Sequence, residues 1–192
     1  KAFNLEPGKG RVMLSAPHAC RQIGKVTDEN EEKSSDKYTG PIIKVLKDMT
    51  DAHIIYVKNK TKNVNLYDVP YKTELQKYLK KHPEIAVVVD LHGIGEKYED
   101  SKYNRDRNQV GKVRPHDIEF GTIHKESKSD YLRTLLYENT LQEHGIKKLT
   151  HDKEYPAEGK GMVTRFVYSK CKTESIQIEA KPKLRDPKEK IT

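Results

Sequence analysis

The sequence predicts an α/β domain with parallel strand pairing. Three observations predict it. Short apolar runs alternate along the chain with segments of helical period. Several of those runs are continuous, as in Val87-Val88-Val89, which suits strands covered on both faces. Chemically capable residues also gather at the ends of the runs, where open α/β sheets bind ligands. A length of 192 residues suits one domain, 1–192, with a core over about 11–185 and a frayed tail at 186–192.

The elements follow in order. Residues 11–16, RVMLSA, read as a buried strand ended by Pro17-His18. Residues 19–38 are polar and aperiodic, a loop. In 39–50, Thr39 can cap, Pro41 fits a first turn, and Ile42, Ile43, Leu46 and Met49 recur at helical spacing. AHIIYVK, 52–58, is a second strand, and 71–82 an amphipathic helix stopped by Pro83. EIAVVVDL, 84–91, is the third and most apolar strand. Residues 127–145 open on a capping box, Ser127 and Asp130, and close on Gly145, which predicts a helix. ESIQIEA, 174–180, alternates Ile176 and Ile178 with polar neighbours, a strand with one face outside the core. The lysine-rich 181–192 is expected to be a surface strap.

Composition narrows the function. Hydrophobic and charged residues each make up 34% of the chain, so the core is thin and the surface dense with charge. The net charge of +8 suits an anionic substrate, yet the basic residues are interspersed with acids and form no block, so no nucleic-acid partner is expected. No run approaches the ~20 apolar residues of a membrane span. Cys20 and Cys171 form neither a CxxC pair nor a disulfide framework, which fits a reducing, cytoplasmic setting.

The polar residues at strand ends suggest a metal site. The first strand delivers His18, the third Asp90 and His92, and the last carries Gln177 and Glu179 along one face. A zinc-like ion takes imidazole nitrogen and carboxylate oxygen, commonly three protein ligands with one position left for water. His18 and His92 supply two. The third would be a carboxylate among Asp28, Glu29, Glu31, Glu32 and Asp36, the last at the mouth of the first helix. Asp90 suits the carboxylate that receives the other N–H of a ligating imidazole, and Glu179 suits a general base. A rival set is HDIE, His116 to Glu119, with His151. Its alternation reads as extended chain, which would turn His116 and Glu119 to opposite faces.

These stretches together resemble the N-formylglutamate amidohydrolase family. SAPHAC (15–20), DKYTG (36–40), VVVDLHG (87–93), GKGMVTRF (159–166) and SIQIEAKPKLR (175–185) are similar to its motifs and stand in the same order, and HDIEFGT (116–122) is similar to a segment of some members. The resemblance implies a mixed, twisted sheet flanked by helices, of the zinc-carboxypeptidase or phosphorylase-hydrolase kind. It implies His18, Asp36 and His92 as ligands of one Zn2+ and Glu179 as the catalytic carboxylate. It also implies Arg165 as the partner of a substrate carboxylate; Arg21 and Arg185 are alternatives, and Gln177 is a further substrate-binding candidate. Tyr38 stands where the family often has Gly, and Lys181 where it often has Arg.

The expectation is therefore a zinc-dependent amidohydrolase acting on a small anionic amide such as N-formylglutamate. A zinc peptidase or poly-γ-glutamate hydrolase on the same fold is the alternative, with a non-enzymatic basic binding protein as the competitor from another class.

Overall fold

The computed structural model describes residues 1–24, 32–66, 69–98, 105–123, 128, 131–132, 140–159 and 161–188. Its strands are β1 (Phe3–Glu6), β2 (Val12–Ala16), β3 (Gln22–Ile23), β4 (Glu32–Lys33), β5 (His53–Val57), β6 (Thr61–Lys62), β7 (Val87–Gly93), β8 (Ile118–Gly121), β9 (Leu149–His151) and β10 (Glu174–Ala180). The helices are α1 (Thr39–Thr50), α2 (Pro70–Lys81), α3 (Val163–Phe166), which runs on into a π-helical turn Val167–Cys171, and α4 (Pro182–Arg185).

Among the described residues, seven strands form one sheet in the order β1-β5-β2-β7-β10-β8-β9, and β4-β3-β6 form a small second sheet. Pairing is parallel through β5-β2-β7-β10 and between β8 and β9, and antiparallel at β1-β5 and β10-β8. The architecture is the predicted α/β class with a mixed sheet. Parallel neighbours need crossover connections, and α1 and α2 supply them between β2, β5 and β7.

Strand alternation sorts the core into two faces. Met13, Ile55, Val57 and Val88 pack against Tyr71, Leu75 and Leu79 of α2 and against Val163 and Val167. Leu14, Ala16 and Ile54 face the other way, onto Ile43 of α1. Ile118, Phe120, Ile176 and Ala180 extend that second face into a separate cluster beneath β8 and β10.

Several expectations are corrected. The 19–38 loop contains β3 and β4. Strands β1, β6 and β9 are too short to give a period. The third strand begins later and runs further than predicted, so His92 lies inside it. In α1 the N-cap is Tyr38 rather than Thr39, and Met49, expected in the stripe, is 75% exposed because the helix meets the sheet through Thr39, Gly40 and Ile43. Strand β10 is interior, between β7 and β8, so its polar face is buried. The strap is partly internal: Lys181 is buried and donates to Arg114 O. Most of the helix expected at 127–145 lies outside the described residues, as do Asp28, Glu29 and Glu31 and the end of the tail.

Leu75 is fully enclosed between α2 and the sheet. Leu75→Ala is expected to lower unfolding free energy by about 2–5 kcal/mol, and Met49→Ala by less than about 0.5 kcal/mol. Urea unfolding of both variants checks the assignment.

Candidate metal and catalytic site

The register of the sheet builds the site. Ser15 pairs with Asp90 across β2-β7, Gln177 with Asp90 and Glu179 with His92 across β7-β10, and Glu119 with Glu179 across β10-β8. These side chains share the face that carries Met13 and Val88 nearer the strand starts. One face of the sheet is thus apolar at one end and polar at the carboxyl end of its parallel strands.

Hydrogen bonds fix both imidazoles. His92 Nε2 lies 2.9 Å from Asp90 Oδ2, so Nε2–H donates there and Nδ1 is the nitrogen left to take a proton or a metal ion. Ser15 Oγ donates to Asp90 Oδ1 at 2.6 Å and contacts the Tyr71 hydroxyl at 2.9 Å, while Tyr71 also bonds Ile55 O. Gln22 donates its amide to Pro17 O, and its Oε1 accepts from Val64 N and faces His18 Nδ1 at 2.9 Å. That makes Nδ1 the protonated nitrogen of His18 and Nε2 the lone-pair nitrogen. The two rings lie 5.0 Å apart between centroids.

Carboxylates approach His92 Nδ1 from two sides, Asp36 Oδ2 at 3.3 Å and Glu179 Oε1 at 4.0 Å. Asp36 is brought there by a backbone bond from its N to His18 O and by Thr39, whose hydroxyl holds Asp36 O. Glu179 Oε1 accepts from Gln177 Nε2 at 2.9 Å. Among the described residues no three His, Cys, Asp or Glu side chains already stand in metal-coordination geometry. The donor chemistry nevertheless fits a divalent ion. Ligands about 2.0–2.1 Å from a tetrahedral zinc are roughly 3.3 Å from each other, and the His92–Asp36 separation has that length.

Charge points the same way. Burial disfavours the charged form of His92, but Asp90, Glu179 and Asp36 outweigh it and hold its pKa well above the ordinary value. Three carboxylates around two imidazoles form a buried pocket that calls for positive charge.

The cleft above these groups has a volume of about 780 Å³. Asp36, His92 and Glu179 line it, with Tyr38, Asn65, Tyr155, Met162 and Arg185 among the other walls. Arg185 donates from Nε to Ala180 O at 2.7 Å, from Nη1 to Lys37 O, and from Nη2 to Ile94 O at 3.2 Å. Gly93 makes room for it, since a Cβ there would collide with Arg185 Cζ where it now stands. Burial lowers the pKa of Arg185, opposed by Asp36, Glu179 and Asp186.

The described structure thus brings His18, Asp36, Asp90, His92, Gln177 and Glu179 together. It also puts Arg185 in the cleft wall, whereas Arg21 and Arg165 are not among the described lining residues. Gln177 is fully buried and its amide bonds Glu179 and Tyr155 O, so it holds Glu179 in place. His116 and Glu119 are not on opposite faces: His116 precedes β8, and its Nε2 lies 3.3 Å from Glu119 Oε2. Glu119 Oε1 accepts from Glu154 N and Tyr155 N, which anchors the cleft-side segment at Tyr155. His151 pairs with Phe120 across β8-β9, is exposed, and joins neither residue.

Sequence reasoning missed Ser15, Gln22, Tyr71 and Arg114. Arg114 is buried, grips Glu154 through two nitrogens and bonds Gly95 O and Lys97 O, tying the chain after β7 to the Tyr155 segment. Only Ser15 left a trace in the sequence, as a hydroxyl inside an apolar run.

No protein-family model and no curated protein matches the chain. Solved structures do. The gene product Atu2144 of Agrobacterium tumefaciens superposes with TM-score 0.67 at 14% identity, over 96% of this chain and 86% of that one. A bacteriophage poly-gamma-glutamate hydrolase gives 0.52 at 14% identity, over 94% and 70%. The zinc-free apo form of YndL gives 0.47 at 17%, over 94% and 72%. The first two establish a shared fold.

Two predictions follow from the electrostatics. His92 has a raised folded pKa, so its charge stabilises the metal-free protein fully below the ordinary value of about 6.5 and ceases to do so as pH rises through the folded value. In chelator, the stability advantage of wild type over His92→Gln should therefore shrink between acidic and alkaline pH, read from urea midpoints. Burial pushes the Cys171 thiol up to about 11 and also raises Cys20. Both should alkylate slowly with iodoacetamide at pH 8, and Cys20→Ser/Cys171→Ser should keep whatever activity the chain has.

Proposed function

We propose that the chain is a metal-dependent hydrolase of amide bonds, with an acidic amide as substrate. The observation that carries the reading is the convergence of Asp36, His92 and Glu179 on one cleft, with the buried His18 ring 5.0 Å from that of His92 and both imidazoles hydrogen-bonded, by Gln22 and Asp90. His18 Nε2, His92 Nδ1 and a carboxylate oxygen of Asp36 would hold a zinc ion. When bound, the ion supplies Lewis-acid polarisation of the amide carbonyl and a more acidic water.

The remaining chemistry belongs to the chain. Glu179, steadied by Gln177, takes the proton from the attacking water and returns it to the leaving nitrogen. Asp90 keeps His92 in the tautomer that presents Nδ1. Arg185 uses three of its five N–H groups on backbone carbonyls, leaving two for a substrate carboxylate. Arg185 is preferred over Arg165 and Arg21 on its place in the wall.

N-formylglutamate and related N-acyl amino acids are the first substrate class. A polymer such as poly-γ-glutamate is the second. A cleft of about 780 Å³, in the range that takes drug-sized ligands, has room for either class. The fold shared with a bacteriophage poly-gamma-glutamate hydrolase is consistent with the second.

The test pairs zinc content with turnover. Wild type should hold about one zinc per chain and release amine from one of the two substrate classes. His18→Ala and His92→Ala should lose both metal and activity. Glu179→Gln should keep the metal and lose roughly 10²–10⁴-fold in kcat. Undiminished turnover in Glu179→Gln would remove it from the mechanism, and metal-independent turnover in wild type would remove the proposal.

A further inference from the structure

Tyr38 adopts φ 68° and ψ −6° at the N-cap of α1. For a bulky aromatic residue this left-handed conformation is a genuine outlier. The other described non-glycine residues with positive φ are Asp51, Asn108, Asp152 and Lys172. Asn and Asp tolerate this region, and Lys172 caps the C-terminus of a helical turn, where such a conformation is common. Tyr38 has neither explanation.

The surroundings hold the strain in place. The peptide carbonyl just before Tyr38, Lys37 O, is gripped by Arg185 Nη1, whose guanidinium lies over Gly93 where a Cβ would make it shift. On the other side, Ile42 N bonds Tyr38 O in the first turn of α1. Asp36, two residues earlier, is fixed by His18 O and Thr39. The turn is thus tied at both ends, and a glycine would occupy it at no steric cost. Tyr38 is instead a lining residue of the cleft, as are Asp36 and Arg185; it is partly exposed, and its side chain makes no hydrogen bond among the described residues.

Strain kept at a site wall points to the side chain that imposes it. We infer that Tyr38 is a substrate-binding residue: its phenol donates a hydrogen bond to a carboxylate oxygen of the acidic amide, next to the two spare N–H groups of Arg185, and the left-handed backbone is the stability cost of putting the ring there. The inference rests on the hydrolase reading and adds a specificity determinant to it.

Three variants separate strain from binding. Tyr38→Gly removes ring and strain, Tyr38→Ala removes the ring but keeps a Cβ in the strained conformation, and Tyr38→Phe removes only the hydroxyl. The probes are N-formyl-L-glutamate and a γ-linked glutamate trimer, with whichever wild type hydrolyses used for KM and kcat, and its Kd for Glu179→Gln, with and without each Tyr38 change, measured by calorimetry. Each variant should raise KM and Kd roughly three- to tenfold, the size of one lost hydrogen bond, with a smaller change in kcat and unchanged zinc content. Only Tyr38→Gly should raise Tm. Unchanged KM and Kd in Tyr38→Gly and Tyr38→Ala would overturn the binding role while leaving the hydrolase reading intact. A lower Tm for Tyr38→Gly would overturn the strain argument. Wild type that neither binds nor hydrolyses either probe would overturn the hydrolase reading, and this inference with it.

Discussion

A carboxylate with no solvent exposure, Asp90, lies between the Ser15 hydroxyl and the His92 imidazole, and the rest of the site is arranged around it. A buried charge of this kind persists only when its oxygens are bonded and opposite charge is near. Ser15 reaches Asp90 because the β2-β7 register sets them opposite, and Tyr71 reaches Ser15 because α2 packs Tyr71 into the same face. A register slip of one residue in β7 would turn Asp90 and His92 to the α1 face and expose Val89 and Leu91 to the polar end. The same pairing that buries Met13 and Val88 therefore also aims His92.

The second constraint is charge. Asp36, Asp90 and Glu179 surround His92, and Asp36, His92 and Glu179 line the cleft. Arg185 lines the same cleft, and it is largely committed to three carbonyls. A proton on His92 balances part of the negative charge, and a divalent ion would balance more. Proton and metal compete for the same nitrogen, so metal binding would release that proton.

Much of this was legible in the sequence because it depends on spacing. Asp90 and His92 are two apart, as are Gln177 and Glu179, and a spacing of two puts side chains on one face of a strand. The continuous apolar run at Val87–Val89 falls in β7, interior between β2 and β10, where Val88 is buried and Val87 and Val89 are half-buried. What the sequence did not disclose depends on long-range pairing. Nothing near Ser15 names Asp90 as its partner, and Gln22 and Arg114 look like ordinary polar loop residues until β3 and the Tyr155 segment are placed. The expectation that His116 and Glu119 point apart failed because only Glu119 belongs to β8, so strand alternation does not govern His116. Strand β10 was expected to have one face outside the core; that face is polar and buried, and alternation alone does not distinguish a solvated face from a buried functional one.

The most direct test of the account is X-ray absorption at the zinc edge of reconstituted wild type, His18→Ala and His92→Ala. The account predicts one zinc with two imidazoles and carboxylate or water oxygen at about 2.0–2.1 Å in wild type, and no bound zinc in either variant. A shell without imidazole, or one containing cysteine sulfur, would contradict the placement of the metal at His18, Asp36 and His92.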